Sequence, residues 1–142
     1  MTKNKNNQAI WNTRIKKDNP TIFQKVGNSL HIDKKLFKED IAGSIAHTEM
    51  LLKQKIISFK VKNKIIYGLE KIKKEIEKNK FEFNNKYEDI HMNIEKRLFE
   101  IVGEDAGYIH TGRSRNDQVI TDFKLWLRNS TQEIIIDLNN LE

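Results

Sequence analysis

The chain has 142 residues and a formal net charge of +6, with 26 lysines and arginines against 20 aspartates and glutamates, and it has no cysteine. This length fits one ordinary domain, and the lack of cysteine excludes a disulfide scaffold and any thiolate metal site. No run of 18 or more apolar residues occurs, so we expect no membrane span. Residues 1–10 are basic and polar and predict a disordered lead rather than a secretory signal.

The positive charge raises the possibility of a nucleic-acid partner. However, the lysines are spread along the chain and alternate with glutamate and asparagine, instead of gathering on one recognition helix. Zinc-finger spacing, an aromatic stacking platform and glycine-rich phosphate motifs are all missing from the sequence. We therefore expect no nucleic-acid partner, and the composition suits a cytoplasmic protein.

Apolar residues recur at helical spacing in four segments, and no segment alternates as a strand does, so the predicted class is all-α. The first segment has Asp33 as its expected N-cap and carries Phe37, Ile41, Ile45 and Leu52.

The second and third segments have clearer ends. Ser58 is the expected N-cap of the second, which carries Val61, Ile65, Leu69, Ile72 and Ile76. Asp89 is the expected N-cap of the third, and Gly103 is expected to form a left-handed C-terminal cap. The apolar residues of this third helix are Ile90, Ile94, Leu98, Ile101 and Val102.

The fourth segment predicts an unbroken helix from about Asp117 towards the C-terminus, with apolar residues Val119, Phe123, Trp126, Ile134, Leu138 and Leu141. Its residues 134–136 place apolar groups around more than half of the helix, as is typical of a helix buried by several neighbours. No cap, glycine or proline stops it at Leu141 and Glu142. We therefore expect the chain to be a fragment of a longer protein.

The segment from Thr111 to Gln118 concentrates groups that bind carboxylates. Arg113 and Arg115 offer planar guanidinium groups that match a carboxylate with two hydrogen bonds, and Asn116 adds a donor and an acceptor. Gly112 lets the backbone turn or approach a ligand closely, and a helix that begins near Asn116 would direct free N–H groups at an anion. The segment indicates a site for a small molecule with carboxylates; the alternative is a helix cap followed by a basic turn.

Residues 110–118, His-Thr-Gly-Arg-Ser-Arg-Asn-Asp-Gln, resemble the first signature region of the argininosuccinate lyase family, which includes the eye-lens protein delta-crystallin. Four further segments resemble the family in order and approximate spacing, over roughly residues 11–142. They are Asn28-Ser29-Leu30, Asp40-Ile41-Ala42-Gly43-Ser44, Glu88-Asp89-Ile90-His91 and Thr121-Asp122-Phe123-Lys124-Leu125-Trp126.

The resemblance implies an all-α protein of the fumarase and aspartase type. Residues 11–112 would form an N-terminal helical domain, and residues 113–142 would hold the signature loop and the start of the first long helix of a central bundle. Family members cleave argininosuccinate to arginine and fumarate by β-elimination, as homotetramers whose sites draw on three subunits, without cofactor or metal. The family's catalytic histidine and serine segments are not in this sequence, so the resemblance implies no catalytic residue here and an inactive fragment.

The resemblance also implies the roles of particular residues. Substrate binding would fall to Ser29, His91, Thr111, Arg113, Ser114, Arg115 and Asn116. Support of the loop would fall to Asp89, Gly112 and Asp117. Three alternatives remain open: Ser29 is a polar residue of an entry loop, His91 is structural, or Arg113 holds the loop by pairing with a nearby acid such as Asp89.

The sequence departs from the family pattern at two places. Trp11-Asn12-Thr13-Arg14-Ile15 stands where the family has Trp-Gly-Gly-Arg-Phe, and Tyr108 replaces a common lysine. Two alternative functions remain. One is a non-catalytic, crystallin-like or remnant protein of the same fold; the other is a lyase for a different fumaryl adduct, against which Thr-Gly-Arg-Ser-Arg-Asn-Asp argues.

Overall fold

The computed structural model describes residues 26–141, and every regular element within that range is a helix. The α-helices are α1 (Leu30–Asp33), α2 (Phe37–Lys53), α3 (Phe59–Glu77), α4 (Ile90–Val102) and α5 (Arg115–Asn139). Two 3-10 helices, Lys34–Leu36 and Gly103–His110, precede α2 and follow α4. The all-α prediction is confirmed over these residues.

Capping residues set the ends of the two central helices. The Ser58 hydroxyl accepts a hydrogen bond from the Val61 amide at 3.3 Å, and the Asp89 carboxylate accepts one from the Met92 amide at 2.6 Å. Both satisfy amides that have no partner inside their own helix. Gly103 ends α4 with the expected positive φ of 71°, although its ψ of −145° lies outside the left-handed helical region. The two N-caps predicted here are confirmed.

The prediction that Asp33 caps α2 is wrong. The 3-10 helix Lys34–Leu36 separates Asp33 from α2, and Leu36 occupies the N-cap position without a side-chain hydrogen bond. The Asp33 carboxylate instead accepts hydrogen bonds from the Ile90 amide at 3.1 Å and the Ser29 hydroxyl at 2.6 Å. Asp33 therefore ties α1 to the N-terminal end of α4.

The core lies where α2, α3 and α4 pack together with the second 3-10 helix. Gly68 allows α3 and α4 to approach, because a Cβ atom there would lie 2.4 Å from Leu98 Cδ1 and 3.0 Å from Val102 Cγ1. The apolar stripes predicted from the sequence supply most of this core, whose buried members are Leu30, Ile41, Ile65, Leu69, Ile72, Ile90, Ile94, Leu98, Ala106 and Ile109.

Helix α5 packs against α2 and runs without a break, as predicted. The buried residues of α5 are Gln118 and Asp122, both polar. Ile134, Ile135 and Ile136 are 59, 50 and 58 % exposed, as expected for a chain that lacks the neighbouring helices of a bundle. The apolar face of α5 therefore lies open in this structure.

Two predictions, the disordered lead at residues 1–10 and the altered segment at residues 11–15, lie outside the described residues. Among the helices that the structure does describe, none combines the length and the apolar character that crossing a membrane requires.

Candidate functional site

The loop that joins the second 3-10 helix to α5 has a fixed backbone. Gly112 adopts a φ of 65°, in the region that favours glycine. The Thr111 carbonyl accepts a hydrogen bond from His47 Nε2 at 3.0 Å, and the Ser114 hydroxyl caps α5 by accepting one from the Asn116 amide at 3.3 Å. Burial is the largest influence on the pKa of His47 and lowers it, which keeps that imidazole neutral near pH 7. The sequence predicted a turn and a helix start here, and both are confirmed.

Arg115 lies at the first turn of α5, with its guanidinium against acidic residues of α4. Its Nη2 forms an ion pair with Glu95 Oε1 at 2.8 Å, and its Nε lies 3.7 Å from Asp89 Oδ2. Its Nη1 donates to Gln118 Oε1 at 2.7 Å. The same Glu95 oxygen lies 3.3 Å from His110 Nδ1. The side chain of Arg115 remains 24 % exposed, so it is held firmly but still faces solvent.

Arg113 lies near an acidic residue, as suggested, but that residue is Asp122 and not Asp89. Arg113 Nη1 donates to the Ser44 hydroxyl of α2 at 2.9 Å. A Cβ atom on Gly43 would lie 3.3 Å from Arg113 Nη2 and 3.4 Å from Asp122 Oδ1, which places the guanidinium beside that carboxylate. The arginine nearer to Asp89 is Arg115, because α5 begins there and turns residue 115 towards α4, whereas residue 113 precedes the helix and faces α2.

Asn116 and Ser29 occupy different surroundings. Asn116 is exposed on the first turn of α5, and among residues 26–141 its side-chain amide makes no hydrogen bond. Ser29 lies at the N-terminal end of α4, where its backbone amide donates to the Glu88 carbonyl at 2.8 Å and its hydroxyl donates to Asp33. Ser29 and Arg115 therefore both lie near the N-terminal end of α4, Ser29 beside Glu88 and Arg115 beside Asp89.

The remaining loop residues predicted from the sequence are mostly at the surface. Thr111, Ser114 and Asp117 are exposed. Asp117 is the acidic residue in the first turn of α5, where its negative charge interacts favourably with the positive end of the helix dipole. Asp89 caps α4, in agreement with its expected supporting role.

His91 is buried, and its surroundings were not predicted. It is 1 % exposed and its Nδ1 lies 3.0 Å from Asp40 Oδ1 and 3.5 Å from Asp122 Oδ2. Gln118 Nε2 also donates to Asp40 Oδ1. We call these four residues, Asp40, His91, Gln118 and Asp122, the buried polar network. Its burial favours a structural role for His91 over direct contact with a ligand.

The buried polar network joins segments that are distant in sequence. Asp40 belongs to the Asp-Ile-Ala-Gly-Ser segment, His91 to Glu-Asp-Ile-His and Asp122 to Thr-Asp-Phe-Lys-Leu-Trp, all of which resemble the lyase family. Sequence reasoning assigned no role to Asp40, Gln118 or Asp122. The available signal was the pair at positions 118 and 122, since polar residues four apart on a helix share a face and here that face starts directly after the signature residues.

The charges in the network balance each other. Burial raises the pKa of Asp40, but the hydrogen bond and charge of His91 and the hydrogen bond from Gln118 outweigh it, and the net pKa lies below its ordinary value. Burial lowers the pKa of His91, but its hydrogen bond to Asp40 and the charge of that carboxylate outweigh it, so the pKa is raised. Burial and the charge of Asp40 raise the pKa of Asp122 to about 7. These shifts favour an ion pair between the Asp40 carboxylate and the His91 imidazolium, beside an Asp122 carboxyl group whose pKa is raised to about 7.

Asp40, His91 and Asp122 could also be considered as metal ligands, since each offers an atom within 4.8 Å of the others. Carboxylate and imidazole are common ligands of zinc and related ions. In this cluster, however, the positive charges opposite the two carboxylates already come from His91 and from Arg113 nearby, and a metal ion would require His91 to lose its proton. The arrangement fits a proton shared within a polar network better than a metal ion.

Comparison with known proteins agrees with the shared motifs. A protein-family model described as "Lyase" matches residues 13–142. Proteins named argininosuccinate lyase from Pelagibacter ubique and Bartonella bacilliformis are 74 % and 45 % identical over 141 residues, which is 99 % of this chain and 30 % of each relative. The relative of that name from Ehrlichia canis is 50 % identical over 133 residues, 94 % of this chain and 28 % of its own length. The chain thus spans about 30 % of the length of these relatives, and it belongs to the lyase family.

Proposed function

We propose that this chain supplies the substrate-binding part of an argininosuccinate lyase. The main support is the loop from Thr111 to Asn116, which presents the anchored Arg115 and the exposed Asn116 amide at the start of α5. The 74 % identical relative has the name of this enzyme. The expected substrate is argininosuccinate, and the products are arginine and fumarate.

The geometry suits recognition of a carboxylate. A guanidinium has five N–H donors; Arg115 donates one hydrogen bond to Gln118 and forms an ion pair with Glu95. Its Nε is 3.7 Å from Asp89, too far for a hydrogen bond. Donors therefore remain for a carboxylate, and Asn116 can add another. The acidic partners limit the net positive charge while they fix the direction of the remaining donors.

The reaction needs more than this chain carries. In β-elimination a base removes the proton from the carbon next to a carboxylate, the carbon–nitrogen bond breaks, and an acid protonates the departing guanidinium nitrogen. Donors such as Arg115 stabilise the negative charge that develops on the carboxylate. We propose that the base and the acid come from the part of the protein that corresponds to the remainder of the relatives, in a cytoplasmic homotetramer.

The open apolar face of α5 supports the assembly proposed here. Phe123, Trp126, Leu127 and Leu138 are between 37 % and 58 % exposed on this helix. Contiguous apolar surface of this kind marks a contact with another protein surface. A central bundle of long helices, from this subunit and others, would cover it and would bring the signature loop next to the missing proton-transfer groups.

A chimera tests the proposal. The chain replaces the aligned 30 % of the Pelagibacter ubique relative, and fumarate release from argininosuccinate is followed by absorbance. We expect turnover, and we expect Asn116→Ala and Ser29→Ala each to lower kcat/KM by roughly ten- to a hundredfold, because a hydrogen bond to a charged group contributes about 1.5–3 kcal/mol.

Asn129→Ala serves as the control, because it removes an asparagine from the same helix at a position well beyond the signature loop. A chimera that assembles and releases no fumarate contradicts the proposed activity. An active chimera in which Asn116→Ala and Ser29→Ala behave like the control would show that these residues do not bind substrate.

A further inference from the structure

Gln118 connects the buried polar network to the signature loop. It is 2 % exposed, and both ends of its amide are used. Its Nε2 donates to Asp40 Oδ1, and its Oε1 accepts from Arg115 Nη1 at 2.7 Å. The same amide therefore contacts a buried carboxylate on α2 and a partly exposed guanidinium at the start of α5.

A neutral amide of this length can donate a hydrogen bond to Asp40 and accept one from Arg115 at the same time. A carboxylate at position 118 could accept from Arg115 but would place a second negative charge against Asp40. A cationic residue could donate to Asp40 but would repel Arg115. An apolar residue of the same size would leave Asp40 with a missing donor and Arg115 with a missing acceptor.

Both neighbours of Gln118, Asp40 and Arg115, are held in place by further contacts. Asp40 is 1 % exposed and is held by His91, which belongs to α4 and is itself buried. Arg115 has two further acidic neighbours on α4, Glu95 and Asp89, at 2.8 and 3.7 Å. Those contacts restrain Nη2 and Nε, whereas Gln118 restrains Nη1. The Arg115 side chain is still 24 % exposed, so it remains reachable from solvent while these contacts hold it to the protein.

We propose that Gln118 is a positioning residue that sets the orientation of the Arg115 guanidinium towards the substrate carboxylate. The inference rests on the proposed function, because that function supplies a ligand with a carboxylate. Gln118 itself does not touch the ligand. Its two hydrogen bonds hold Arg115, which does contact the ligand, to the buried Asp40–His91 pair.

A double-mutant cycle in the chimera separates positioning from general stability. Gln118→Met should raise KM for argininosuccinate about tenfold, the effect of one lost hydrogen bond to a charged group, and should change kcat less. In an Arg115→Ala background the same substitution should add little, because the side chain that it positions is gone. An equal fold-change in both backgrounds would overturn the inference.

A pH profile of Gln118→Glu gives a second, independent readout. The new carboxyl group would face Asp40 of α2, Asp122 of its own helix, His91, Asp89 and Glu95 of α4, and the two arginines of the loop. When it is protonated, this carboxyl group matches the glutamine amide in shape and can both donate to Asp40 and accept from Arg115. The ratio of variant to parent kcat/KM should therefore rise as the pH falls, whereas Gln118→Met should show a constant ratio.

Asn129→Asp is the matched control for this profile. Asn129 Nδ2 donates to Glu39 Oε1 at 3.3 Å, so the substitution also places a carboxylate of α5 against an acid of α2, away from Arg115. It should leave KM close to that of the parent at every pH. A constant ratio for Gln118→Glu, or the same profile for Asn129→Asp, would contradict a positioning role.

Crystal structures of the parent and Gln118→Met chimeras keep this inference separate from the proposed function. A parent that releases no fumarate would refute the function alone. In that case the inference still predicts that the Arg115 guanidinium moves, or loses its single orientation, when Gln118 is replaced. An unchanged guanidinium in the Gln118→Met structure would overturn the inference whatever the activity.

Discussion

The first two turns of α5 and the rest of that helix are built in opposite ways. The first turns bury Gln118 and Asp122 against α2 and α4, and no apolar residue of α5 is buried with them. Beyond them the helix exposes apolar side chains, including Trp126, Ile134 and Leu138 at 37, 59 and 58 %. Polar groups face inwards and apolar groups face outwards, the reverse of an ordinary surface helix.

This inversion separates two tasks. The buried polar residues hold the signature loop in one orientation, because hydrogen bonds depend on the angle between donor and acceptor whereas apolar contacts do not. We propose that the exposed apolar residues serve association, since burying apolar area contributes about 25 cal/mol per Å². In this proposal one helix positions a binding loop at one end and offers an assembly surface along the remainder.

The largest effect on folding should come from the polar end. Asp40→Ala would remove the nearer carboxylate partner of the buried His91 imidazole, at 3.0 Å, and leave the Asp122 carboxyl group at 3.5 Å. Breaking a buried ion pair by removing one partner costs about 3–5 kcal/mol. We expect the free energy of unfolding, measured with urea, to fall by that amount.

Glu39→Ala is the control, because Glu39 neighbours Asp40 on α2 and accepts one hydrogen bond from Asn129. Its loss should be smaller, about 0.5–1.5 kcal/mol. Equal losses in the two variants would mean that the buried polar network contributes nothing particular to stability.

A smaller effect should appear as a pH dependence. The pKa of Asp122 is raised to about 7 by burial and by the charge of Asp40, so the folded state holds this proton more tightly than the unfolded state does. Stability from this group is present at low pH and is lost as the pH rises from about 4 to about 7. Each tenfold difference in proton affinity between the folded and unfolded states contributes about 1.4 kcal/mol to that loss.

The raised pKa of His91 acts in the same direction, since its contribution is lost as the pH rises through the folded value. The lowered pKa of Asp40 acts in the opposite direction, but only below the ordinary range of an aspartate. We expect the unfolding free energy to fall between about pH 4 and about pH 7, and Asp122→Asn to reduce that slope. An identical slope in parent and variant would show that the Asp122 proton does not contribute to stability.

The smallest effect on folding should come from the apolar end. Ile134 and Leu138 are more than half exposed, so the double variant Ile134→Gln, Leu138→Gln should change the unfolding free energy by less than about 0.5 kcal/mol per site. Sedimentation at micromolar concentration should nevertheless show association of the parent chain and less association of the variant.

Lys124→Gln, an exposed polar substitution on the same helix, should leave association as it is in the parent. A parent chain that sediments as a clean monomer would contradict the assembly role of this face.

Periodicity predicted the helices, and local chemistry predicted the caps Ser58 and Asp89, because both depend on neighbouring residues. The partners of Arg113 and the surroundings of His91 depend on how α2, α4 and α5 pack, over separations of 69 and 51 residues. No local pattern contains that information. Asp33 shows the same limit, because its carboxylate accepts a hydrogen bond from the Ile90 amide at the start of α4.

Mixing this chain with a second incomplete partner can restore a complete site. We propose that the chain carries the binding loop of a lyase site and lacks its proton-transfer groups. The partner is the Pelagibacter ubique relative with the segment aligned to residues 110–118 replaced by a glycine-serine linker. Fumarate release should be absent from each alone and should appear after the two are refolded together. Turnover by the purified chain alone that disappears with Arg115→Ala, or mixed assemblies without any turnover, would contradict the account.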